Sequence, residues 1–169
     1  PGVGVMSWSD AQKRIPWGTV VVFGVGISLG TALLDTKAAT WLSTLVVSSL
    51  HLDTLSGLGV FAVLSAFLIL IHLGFASATA LTAALMPIMV SVLAGLPGPI
   101  NGPGIAMLLA FTVSFGFVLP INAPQNMVCL GTETFTSRQF TQVGLWLTGI
   151  GYVLLLLIVV SWWSLLGLL

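Results

Sequence analysis

The residues able to do chemistry lie in two short stretches set in otherwise apolar sequence. Phe75-Ala76-Ser77-Ala78-Thr79 brings hydroxyls, and Leu119-Pro120-Ile121-Asn122-Ala123-Pro124-Gln125-Asn126 brings amides between prolines. In a bilayer every backbone N–H and C=O must find a partner, so broken helix at membrane depth persists only where it is buried in protein or lines a polar cavity. A helix restarting there presents free N–H groups, and these with the helix dipole bind an anion without a buried cation. Two such starts are expected, one around Ser77 to Thr79 and one around Gln125 and Asn126. Neither stretch contains Lys or Arg. An anion would be held by dipoles, hydroxyls and amides, which suits release during transport.

The plainer reading is that Ser77 and Thr79 bond back to their own helix and that Pro120 and Pro124 kink one. The second stretch is too polar for a simple kink facing lipid. Two readings of His72 stand side by side, a proton relay close to the anion and a hydrogen-bonded packing histidine. His51 falls in a polar loop and reads as surface. Asp35 and Lys37 read as a polar turn, and Gly24, Gly26 and Gly30 as close helix packing. No Ser/His/Asp order, paired carboxylates or metal-ligand cluster is present, and the single Cys129 makes no disulfide framework, so an enzyme is not indicated.

Composition sets these stretches in a membrane. Of the 169 residues 57% are hydrophobic and 5% charged, with mean hydropathy +1.17, more apolar surface than a soluble domain of this size could hide. Net charge is zero and no basic stripe exists, which excludes nucleic acid as a partner. Lipid is the expected surroundings. The chain begins Pro1-Gly2-Val3 without an initiator Met or a signal-peptide pattern, so it reads as part of a longer protein.

The elements that must position the two stretches follow in order. Residues 1–16 form an interfacial segment, with a short helix capped by Ser7 or Ser9 and ending at Pro16. Residues 17–56 hold a long apolar run and a loop; as one straight helix, residues 17–50 would reach ~50 Å against a hydrocarbon core of ~30 Å, so the run must bend, break or overhang. Residues 57–96 give two arms around the first stretch, each slightly short of a bilayer, which favours a re-entrant hairpin. Residues 97–138 comprise a Pro/Gly loop and one discontinuous helix. Residues 139–169 form a final transmembrane helix with Trp162 and Trp163 at its far end. If residues 17–50 cross once, Lys13, Arg14 and Arg138 share the cytoplasmic side. The fold class is therefore all-α integral membrane.

At these residues the chain resembles the divalent anion:sodium symporter family of di- and tricarboxylate transporters. The likeness rests on Ile15-Pro16-Trp17 leading into Phe23-Gly24-Val25-Gly26, on Ser77-Ala78-Thr79 followed by Ala83-Ala84-Leu85-Met86-Pro87, on Ser114-Phe115-Gly116-Phe117-Val118-Leu119-Pro120, and on Ala123-Pro124-Gln125-Asn126. It implies the second of two inverted repeats, the C-terminal half of a secondary transporter whose N-terminal half is missing here, working as a homodimer by an elevator-type movement. It further implies that Ser77, Ala78, Thr79, Pro124 and Asn126 surround the substrate, a small dicarboxylate or other divalent anion, and that Ala76, Ala78 and Asn122 lie at a sodium ion, Ala76 and Asn122 through backbone carbonyls. The family's tip typically reads Ser-Asn-Thr and its break Ala-Thr-Pro-Pro-Asn. Here Ala78, Ala123 and Gln125 depart from that pattern, so a side-chain ligand of ion and substrate is missing, and Asn122 is the amide that could answer from the opposite wall. Sodium is the coupling ion the resemblance implies; a sodium-independent exchanger, a proton-linked carrier and a sulfate-like oxyanion carrier stay open, and so, in another class, does a non-transporting membrane scaffold. A bacterial plasma membrane is the expected location.

Overall fold

The computed structural model describes residues 6–15 and 35–168, with Trp17, Val20, Val21, Gly24, Val25, Ser28 and Ala32 between them. The expectations for Pro16, Phe23, Gly26 and Gly30 lie outside the described residues. Among the described residues every regular element is helical.

The first helix, α1 (Trp8–Arg14), is capped by the Ser7 hydroxyl, which accepts from the Asp10 N–H at 3.2 Å. Farther on, the Thr36 hydroxyl and N–H both meet the Ala32 carbonyl, at 2.6 and 3.0 Å. Lys37 turns left-handed with φ 57°, and α2 (Ala38–Leu50) starts beyond it. The polar step Asp35-Thr36-Lys37 thus breaks the long apolar run.

A single 3-10 turn, Leu52–Thr54, leads into α3 (Gly57–His72), capped by Ser56. Five residues, 73–77, form a tip, and α4 (Ala78–Ala94) returns from it. Asn101 caps α5 (Gly102–Thr112) by accepting from the Gly104 N–H at 2.9 Å. The next elements are a 3-10 turn, Pro120–Asn122, and the short α6 (Pro124–Leu130). A reciprocal cap opens α7 (Ser137–Ile158): the Thr136 hydroxyl accepts from the Gln139 N–H at 3.3 Å, while the Gln139 side chain accepts from the Thr136 N–H at 2.8 Å. That helix continues through a π turn, Val159–Trp163.

Helix α4 is the most connected. It packs on α2 and on α5; α5 packs on both arms, α3 and α4, which touch each other only slightly. The fully buried side chains come from every layer: Leu52, Phe61 and Leu64 before the tip, Leu81 and Val92 after it, Ile105, Leu108 and Leu109 on α5, and Val159 in the π turn. Lipid is as apolar as these residues, so close packing and interhelical hydrogen bonds hold the bundle together.

One helix among the described residues, Ser137–Trp163, is long and apolar enough to cross a membrane; its 27 residues would extend about 40 Å. Large apolar side chains such as Trp146, Ile150, Val153 and Leu157 stand exposed along it. Its two tryptophans part company. Trp162 is exposed, whereas Trp163 is half-buried against Phe111, ring centroids 5.8 Å apart.

The second interruption is longer than its polar residues alone indicate. Helix α5 ends at Thr112, and Val113 to Leu119 is already irregular, held by turn bonds such as Phe115 N–H to Thr112 C=O at 3.0 Å. Pro120 steers the residue before it out of helical conformation, and Gly116 brings the backbone against another side chain. The apolar character of Phe115, Phe117 and Val118 hides this unwinding from a hydropathy reading.

Candidate functional site

Ser77 is extended (φ −160°, ψ 127°) and caps α4, its hydroxyl accepting from the Ala80 N–H at 3.4 Å. The N–H groups of the first turn of α4 head a 17-residue helix without intrahelical partners. The Thr79 hydroxyl, one residue into the helix, is half-buried and has no hydrogen bond among the described residues. Ala76 is exposed at the tip, and its carbonyl accepts none either. Thr82 does bond back to its own helix, at the Ala78 carbonyl, 2.8 Å away. Thr79 does not, and Ser77 meets its helix only as the cap. No charged side chain occurs anywhere in residues 54–132.

Asn122 is almost wholly buried, at 1% exposure. Its Nδ2 donates to the carbonyls of His72 at 2.8 Å and Phe75 at 2.9 Å, and its Oδ1 accepts from the Leu119 N–H at 3.0 Å. Both tip partners are acceptors and Leu119 is a donor, so only this orientation of the amide satisfies all three. The side chain thus ties the hairpin tip to the broken helix.

Asn126 works within the break, donating to the carbonyl of Gly116 at 2.8 Å and more weakly to that of Leu119 at 3.4 Å. Pro124 and Gln125 are exposed at the start of α6. With seven residues, α6 is too short for a strong dipole, so the expectation of a second anion-binding start weakens. An open cavity of about 500 Å³ adjoins Asn126, but Phe117, Phe135, Phe140, Val143 and Leu147 line it, and a dianion has no place there.

His72 lies behind the tip with its ring buried and neither nitrogen hydrogen-bonded among the described residues. A Cβ on Gly116 would sit 3.1 Å from Cε1 and 3.2 Å from Nε2 of that ring, so glycine lets the break close down on it. The described residues supply no relay chain. The packing half of the sequence reading fits the burial; its hydrogen-bonded half does not.

Helix α7 completes the support. A Cβ on Gly144 would collide with the Phe117 carbonyl oxygen and lie 2.9 Å from the Val118 Cα; seven residues on, one on Gly151 would be 3.3 Å from the Phe115 ring. Tyr152 donates its hydroxyl to the Ala62 carbonyl at 2.6 Å and lies 3.3 Å from the Ser65 hydroxyl, fixing α7 to the first arm. None of these three α7 residues stood out beforehand. The seven-residue spacing of Gly144 and Gly151, which puts both on one face, was the available signal.

Over residues 3–169 the chain matches the model of the sodium:sulfate symporter transmembrane region. The chain belongs to this family. Members with this region are membrane transporters, not enzymes. It is 64% identical over 167 residues to a protein of Cupriavidus necator named only a membrane protein, covering 99% of this chain and 33% of that one. Similarity extends at 25% identity to the sodium-dependent dicarboxylate transporter SdcS of Staphylococcus saprophyticus, over 92% of this chain and 28% of that protein. It reaches the mouse Na(+)/dicarboxylate cotransporter 3 at 24%, over 94% and 25% respectively. The chain thus spans a third or less of the length of these relatives. Within the symporter region, the tip is where hydroxyls and free helix N–H groups converge.

Proposed function

We propose that this chain is the C-terminal part of a secondary transporter of small divalent anions, dicarboxylates foremost, and forms one wall of its substrate site. The observation that supports this most is the start of α4: a long helix headed by free N–H groups and the hydroxyls of Ser77 and Thr79, in sequence without a charged side chain. Two carboxylates can be shared between such a wall and a second one from the other half, since dipoles and hydroxyls bind charge without trapping it. Ala78 contributes its backbone N–H, and Pro124 borders the site from the break, whose unwound backbone Asn126 holds in place.

The arms α3 and α4 act as a re-entrant hairpin within a second inverted repeat. Transport proceeds by an elevator-type displacement of this unit against a scaffold, in a homodimer in the bacterial plasma membrane, with Lys13, Arg14 and Arg138 on the cytoplasmic side. Coupling to sodium, which the names of the Staphylococcus and mouse relatives state for them, is a property of the whole transporter; Ala76, Ala78 and Asn122 are the positions through which this part would contribute.

Uptake of labelled succinate into proteoliposomes holding the full-length transporter tests the reading, with unlabelled succinate and sulfate as competitors. Succinate is expected to compete at the lower concentration. Competition by sulfate alone would replace this reading with an inorganic-oxyanion carrier, and no uptake of either anion would favour a non-transporting scaffold.

A further inference from the structure

We infer that Asn122 is a positioning residue for the anion wall: its amide clasps the hairpin tip to the break, so the tip stands formed before any anion arrives. The clasp falls where the hairpin has least support of its own. The arms α3 and α4 touch each other only slightly, and the turn between them is held by short-range bonds, Gly74 N–H to the Ile71 carbonyl and Phe75 N–H to that of His72, both at 3.0 Å. Asn122 Nδ2 reaches across from the break to two carbonyls three residues apart on this turn, His72 at 2.8 Å and Phe75 at 2.9 Å. Ser77, the cap of α4, follows two residues later.

Asn122 is itself anchored in the break. Its Oδ1 accepts from the Leu119 N–H at 3.0 Å, and its own N–H donates to the Leu119 carbonyl at 3.1 Å. Gly116 tightens the same contact, since a Cβ there would lie 3.1 Å from the His72 ring and 3.5 Å from the Asn122 Cβ. Swinging the tip away would strip a buried amide of both acceptors, with no bulk water at membrane depth to replace them. The first-turn N–H groups of α4 and the hydroxyls of Ser77 and Thr79 are thereby presented as a fixed wall. Without the clasp only the fraction of molecules with the tip in place would bind, and apparent affinity falls by that fraction.

This rests on the transport reading for the tip as an anion wall, but the clasp is tested without transport. Hydrogen–deuterium exchange is followed by mass spectrometry in the full-length transporter at constant sodium, with and without succinate. In the parental protein, residues 72–75 and 113–122 are expected to be protected without ligand and to change little when it is added. Asn122→Ala, which leaves the backbone carbonyl in place, is expected to speed exchange in both segments about tenfold while residues 57–68 keep the parental rate. Saturating succinate should then restore much of the protection at the tip. In proteoliposomes this variant is expected to raise KM for succinate about tenfold, with the maximal rate within about twofold of parental. Gly116→Val wedges the break off the His72 ring with Asn122 intact, and the same pattern is expected. A parental tip that exchanges like an unprotected chain until succinate slows it would overturn the inference, even if neither variant folds. So would parental exchange at the tip of the Asn122→Ala protein, or a fall in its maximal rate with KM unchanged. Tip protection that depends on Asn122, together with no uptake of succinate or sulfate by the parental protein, would count against the transport reading alone.

Discussion

The hairpin tip and the broken segment look alike as sequence, each a short polar interruption, yet they are built in opposite senses. At the tip and the first turn after it, residues 73–79, polar groups are left open: Ala76 is exposed, the Thr79 hydroxyl has no partner among the described residues, and Ser77 gives α4 only a long cap bond. In the break and the start of α6, residues 113–126, they turn onto backbone. Asn122 and Asn126 between them reach four carbonyls, and glycines admit a histidine ring on one side and a helix on the other. A polar interruption in a membrane helix is therefore of two kinds. One offers its groups to a ligand, and the other uses them to satisfy unwound backbone so that the first is held still.

That division makes demands on variants, the largest at the contact between α7 and the break. Gly144→Val would drive a branched side chain into the backbone of Phe117 and Val118, neither of which can move without opening the break. Overpacking of this sort costs about 3 kcal/mol or more, and loss of a monodisperse peak in size-exclusion chromatography is expected. Gly149→Ala, on the same helix with nothing within 4 Å of its Cβ, is expected to leave stability unchanged or improved by up to about 1 kcal/mol. Equal damage from both would mean that α7 does not bear on the break.

The middle-sized effects should separate by kind. Ser77→Ala and Thr79→Ala are each expected to raise KM for anion uptake about tenfold, equivalent to about 1.4 kcal/mol of binding, with the thermal unfolding midpoint nearly unmoved. Asn126→Ala should do the reverse: it strips the Gly116 carbonyl of its donor, leaves that of Leu119 with the Asn122 N–H alone, and lowers stability by about 1–3 kcal/mol, with little change in KM. A KM effect at unchanged stability for Asn126→Ala would dissolve the distinction between the two regions. Smallest of all, Tyr152→Phe removes one hydroxyl from Ala62 and Ser65 and is expected to cost about 1 kcal/mol in thermal unfolding, with normal uptake by the protein that remains folded. A large drop in uptake at full stability would instead give α7 a part in the movement itself.

Much of this arrangement could be read without coordinates, and what escaped did so for physical reasons. Local rules worked where the signal is local. Ser7 and Ser77 cap as their types predict, and the broken run at Asp35 to Lys37 coincides with its only charges. The early end of α5 was hidden because Phe115, Phe117 and Val118 are as apolar as any helical residue, although they are irregular. Gly144 and Gly149 are indistinguishable as letters in an apolar helix; only the backbone facing one of them sets them apart. The amide of Asn122 was recognised as available, but its partners lie 47 and 50 residues away, and no spacing rule links them.

The π turn at Val159–Trp163 carries one more consequence, a rotational one. A π turn accommodates one residue more than the α-helical turn it replaces, and each residue of an α-helix advances the side chain by about 100°. The last stretch of α7 is thereby phased independently of the face that carries Gly144, Gly151 and Tyr152. This lets Trp163 meet Phe111 and lets the Asn101 side chain donate to the Gly167 carbonyl at 2.7 Å, while the glycine face stays aimed at the break. One helix thus docks at two angles, and its two ends can drift in sequence without dragging each other out of register.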